Sequence, residues 1–144
     1  MSFLDHGGRR IVGRYLLLMV PASVAWEFAH MPFYTLWETG TRAEIAFAAL
    51  HCSVGDWMIA AASLALAAIL VGGRTWPQQR YLPVAALAVA LGLAYTLFSE
   101  WLNVDLRQSW AYAGAMPRLP VLGIGLTPVL QWLILPVLGL WWAK

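Results

Sequence analysis

The chain has 144 residues, 61% of them hydrophobic and only 11% charged. Soluble globular domains carry about 25% charged residues, so this composition points to an integral membrane protein with room for one domain. The formal net charge of +2 is too small to argue for nucleic acid, and the single cysteine, Cys52, excludes an internal disulfide or a cysteine-based metal cluster. The sequence has no Gly-rich phosphate loop, no GxSxG and no HExxH.

A helix crosses the hydrocarbon with about 20 residues at a rise of about 1.5 Å each. Four segments qualify, which predicts an all-α membrane bundle of four helices. The first covers residues 11–32, with Pro21 as a predicted kink. Ser23-Val24-Ala25 resembles a signal cleavage site, but Arg14 inside the apolar stretch argues for a retained span. The second covers 44–72, with Thr41 and Glu44 placed to cap its start. The third covers 81–103. The fourth covers 119–142, and Gly123 and Gly125 should loosen its beginning. Small residues in Ala60 to Ala68 and Ala85 to Gly92 suit close helix packing.

Orientation follows from the basic residues. Arg9, Arg10, Arg14, Arg74, Arg80 and Lys144 fall on one side, leaving Arg42, Arg107 and Arg118 on the other. The positive-inside rule then puts both termini in the cytoplasm of a cell with this chain in its inner membrane. Trp76, Trp141 and Trp142 are placed for an inner aromatic belt, and Trp37, Trp101 and Trp110 for an outer one.

The polar residues of the spans share one depth. Measured from the cytoplasmic edge, Glu27 and His30 come to about 24 Å and about 28 Å. Asp56 and His51 of the second span come to about 24 Å and about 31 Å, and Glu100 and Asn103 of the third to about 28 Å and about 33 Å. Thr127 and Gln131 join from the fourth, somewhat deeper. Ionised groups are costly in lipid, so these side chains are expected to face one another inside the bundle. Glu27 and His30 are i, i+3 and share a face, as do Glu100 and Asn103; His51 and Asp56 are i, i+5 and do not share one cleanly.

An internal echo runs through this set. Glu27 precedes Trp37 by the same interval that separates Glu100 from Trp110. Met31-Pro32 has a counterpart in Met116-Pro117, and Asp56-Trp57 in Gln131-Trp132. The pattern fits two parallel-repeat helical hairpins, an arrangement that often places a site at the repeat interface.

Acid–base chemistry is the leading reading. Glu27 and Glu100 are the first candidates, Asp56 the third, with His30, His51 and Asn103 completing the catalytic set. Trp26, Trp57, Trp101, Trp110, Tyr112 and Gln131 would line a pocket for an amphiphilic lipid or isoprenoid-like substrate arriving from the membrane. In layout and residue type, this is similar to the membrane isomerases that act on sterols, although no motif carries over position by position. That reading requires no cofactor. A second reading takes His30, His51, Glu27 and Asp56 as ligands of a divalent metal, or the two histidines as axial ligands of haem. A third takes the polar side chains as interhelical glue in a homo-oligomer or a larger membrane complex. Membrane lipids are partners in all three readings.

Overall fold

The computed structural model describes residues 6–144. Four long helices carry the fold: α1 (His6–His30), α2 (Arg42–Ala67), α3 (Tyr81–Glu100) and α4 (Leu126–Ala143). With their short helical extensions the spans become His6–Phe33, Arg42–Thr75, Tyr81–Leu106 and Leu126–Ala143, each long and apolar enough to cross a membrane. No strand occurs among the described residues. α1 packs on α2 and α4, and α3 packs on the same two, so α1 and α3 stand diagonally across the bundle.

Local chemistry sets the helix ends. Thr41 caps α2 by the predicted box: its hydroxyl accepts from the Glu44 N–H at 3.3 Å, and the Glu44 carboxylate accepts from the Thr41 N–H at 2.7 Å. Thr41→Ala should therefore cost about 1 kcal/mol, read as a small fall in melting temperature with no change in bound lipid. α1 runs through Pro21 without a break. The fourth helix begins at Leu126, later than predicted. Gly123 takes a left-handed φ of 68° and Val121 one of 71°, so the backbone there turns instead of coiling. At the other end Arg14 closes α4. Its guanidinium donates to the Trp142 carbonyl at 2.8 Å and lies 4.5 Å over the Trp142 ring, matching a cation to a helix C-terminus.

The bundle is apolar outside and has two different halves within. Between 22% and 28% of the most apolar window in each of the first three spans is buried, so most of those side chains point outward, as a lipid-facing surface requires. Inside, the half near the chain termini is a largely apolar core of Tyr15, Met19, Leu64, Trp76, Val84 and Leu140. Trp76 belongs to this core at 4% exposure, not to an aromatic belt, and it packs over Gly72, where an added Cβ would lie 3.1 Å from the Trp76 side chain. Trp141 and Trp142 are exposed, as a belt would have them.

The top of this core is Trp132, 1% exposed. It fits because α3 has Gly92 opposite; a Cβ there would lie 2.2 Å from the indole ring. Above Trp132 the interior becomes polar. At that end the two long connections pair over the bundle. The Thr35 N–H donates to the Ala111 carbonyl at 3.0 Å, and the Ala113 N–H to the Phe33 carbonyl at 2.9 Å. Tyr34, Tyr112 and Met116 form a small second cluster in this roof.

Candidate functional site

Between Trp132 and the roof lies a cavity of about 300 Å³. Glu27 and His30 reach it from α1, His51 and Asp56 from α2, Glu100 from α3, Gln131 from α4, and Tyr34 and Trp110 from the connections. Glu27, His30, Asp56, Glu100 and Gln131 are all buried. Four helices thus deliver these groups to one place, as the shared depth predicted.

The hydrogen bonds divide the site into two centres. In the first, the Gln131 amide nitrogen donates to Asp56 Oδ2 at 2.6 Å and to Glu27 Oε1 at 3.3 Å, tying two carboxyl groups from different helices together. The second Glu27 oxygen faces His30 Nε2 at 3.0 Å. On the far side of the ring, His30 Nδ1 meets the Thr127 hydroxyl at 3.3 Å, and that hydroxyl donates to Met116 sulfur at 3.5 Å. Which of Thr127 and Nδ1 donates follows the tautomer of His30, so the ring bridges Glu27 to Thr127 in either form.

The second centre is Glu100. Tyr34 donates to its Oε2 at 3.3 Å, and Tyr112 donates to the same oxygen in a short bond. Burial first, and the neighbouring Glu100 charge next, push the Tyr34 phenol well above its ordinary pKa. Burial and the bond to Glu100 push Tyr112 upward as well. Both phenols therefore stay protonated and keep donating to Glu100. The rings of His30 and Tyr34 meet edge-on at 5.3 Å, and those of Tyr34 and Tyr112 lie 5.5 Å apart, so the two centres share an aromatic wall.

Several predicted members stand elsewhere. His51 lines the cavity only from its exposed rim, stacked on Phe47 at 5.6 Å and apart from both centres, because it lies five residues from the inward-facing Asp56. Asn103 donates back to the Ser99 carbonyl at 2.9 Å instead of entering the cavity. The chain passes into a wider π-type turn at Trp101–Leu106, so the i, i+3 relation to Glu100 no longer means one face. Trp57 and Trp101 are exposed on the outer surface. Trp26 is partly buried on α1 but does not line the cavity. Trp110 and Tyr112 do belong to the site.

Tyr34 was not anticipated. It sits in extended backbone in the connection after α1, where its bridge to Tyr112 brings it over the cavity. Nor was Trp132 expected as a floor, although the echo of Asp56-Trp57 in Gln131-Trp132 marked the position. The proposed metal set is not assembled: among the described residues no three His, Cys, Asp or Glu side chains are grouped to hold one ion.

The chain was compared with known proteins, and it matches no family model, no curated protein and no solved structure.

Proposed function

We propose that this protein is a membrane-embedded acid–base enzyme acting on an amphiphilic, lipid or isoprenoid-like substrate, of isomerase, cyclase or hydrolase type. The observation that carries the reading is the pair of unlike carboxyl centres on one cavity. Glu100, held by two phenols, is suited to accept a proton from substrate. The Glu27–Asp56 pair joined by Gln131 is suited to supply one, with His30 and Thr127 positioning Glu27 and replenishing its proton. Two carboxyl environments facing one space are a common way for a site to hold an acid and a base together. The apolar floor at Trp132 and the roof of Tyr34 and Tyr112 favour proton transfer to substrate over leakage to water.

The charge bias of the connections supports placing the site at the outer, periplasmic edge of an inner membrane, with both termini cytoplasmic. The diagonal placement of the two glutamate-bearing helices supports reading the bundle as two parallel-repeat hairpins. Each would contribute one carboxyl centre.

The test is solvent isotope uptake. Lipid extracted with the purified protein is identified by mass spectrometry, returned to the enzyme in bilayers made in D2O, and followed for deuterium at carbon. Glu100→Gln should slow uptake by about 10²-fold or more while the protein stays folded. Equal uptake in the variant, or none in the parent with its own lipid, would overturn the assignment.

A further inference from the structure

The route into the cavity is set by α2 and α3. Ala48, Cys52 and Gly55 form a stripe of small side chains along α2, facing Thr96 and Ser99 of α3. Small residues between membrane helices normally allow close approach. Here they do not: a Cβ built on Gly55 would meet nothing within 4 Å. The absent side chain leaves open space where tight contact would be usual. Compare Gly92, one wall away, where the same construction strikes Trp132 at 2.2 Å. The slot beside Gly55 is continuous with the polar cavity, and His51 and Tyr95 stand on its rim, both exposed on the lipid-facing surface.

The chemistry at the inner end restricts what can use the slot. Three carboxyl side chains line the cavity with two histidines, of which His30 is held by Glu27 and Thr127 and His51 stands at the rim, and none of its described lining residues is Arg or Lys. Buried phosphate or carboxylate is bound by cationic side chains, above all by the forked guanidinium, or by clustered backbone N–H groups. Here an anionic head would instead face acids in a water-poor space. A neutral hydroxyl or carbonyl, or an amine, finds both donors and acceptors.

We propose that the α2–α3 slot is a lateral portal from the membrane, and that it admits single-chain lipids with an uncharged or cationic polar head, not phosphorylated ones. This deepens the amphiphile reading above and rests on it. The polar head reaches the carboxyl centres, and the apolar chain lies in the slot beside Gly55 and extends into the bilayer. A cavity of about 300 Å³ accommodates a head and the first part of a chain, at the small end of ligand sites.

The experiment uses the full chain in maltoside micelles, with farnesol and farnesyl phosphate as matched probes and melting temperature as the readout. Farnesol should raise the melting temperature in a saturable way, and farnesyl phosphate should bind at least about tenfold more weakly. Gly55→Phe should fold, because its Cβ enters open space, and should abolish the farnesol shift. Gly13→Phe, also free of neighbours within 4 Å but on the exposed face of α1, should leave that shift intact. If Gly55→Phe still responds like the parent, the portal is refuted while the amphiphile site stands. Tighter binding of the phosphate refutes the head-group assignment. No response of the parent to either probe would defeat the amphiphile reading itself.

Discussion

Gly92→Leu is expected to prevent the bundle from assembling. Even a single carbon at this position would overlap the Trp132 ring at 2.2 Å, and Trp132 has nowhere to go at 1% exposure. Overpacking of a well-filled interior costs about 1–3 kcal/mol, and more where the neighbour is rigid. A branched side chain against a buried indole belongs at the upper end. The variant should be recovered as aggregate, or melt at least about 10 °C below the parent. Gly92→Leu combined with Trp132→Ala should recover much of the loss, since the removed ring vacates the volume the leucine needs. Failure of the double variant to improve on the single one would show that Gly92 matters for another reason, such as direct helix contact.

The second large effect concerns Gln131. Its amide is the donor that Asp56 and Glu27 share. Gln131→Leu leaves two buried carboxyl groups facing each other with that donor gone. Removing one partner from a buried charged network costs about 3–5 kcal/mol, most of it the penalty of the stranded group. The double variant Gln131→Leu, Asp56→Leu should be more stable than Gln131→Leu alone, despite carrying one more substitution. Thermal melts of the parent, the singles and the double in one detergent close the cycle. Additive losses would mean that the three side chains are not one network.

What the sequence disclosed depended on which physical rule applied. Helical rise is nearly constant, so counting residues placed Glu27, His30, Asp56 and Glu100 at one level, with Gln131 somewhat deeper. Angular position is less robust. His51 was at the right depth but stands at the exposed rim of the cavity, not among its buried groups. Asn103 was displaced because a π-type turn begins directly after Glu100. Tryptophan identity carried little information, since the same residue suits a lipid interface, a dry core or a cavity wall. Trp101, Trp76 and Trp110 occupy those three environments in turn. Tyr34 escaped notice because its place depends on the pairing of two connections distant in sequence, which no periodicity encodes. The Thr41–Glu44 box was legible because capping is local.

The paired connections have a kinetic consequence. Tyr34 and Tyr112, bridged to each other and both bonded to Glu100, lie over the carboxyl centres, so the proposed portal makes the membrane the approach. Under the proposed function, the quantity that governs occupancy is then the mole fraction of substrate in the surrounding bilayer, not its concentration in the bulk. Diluting the membrane with inert lipid slows such an enzyme at constant total substrate, and extra water does not.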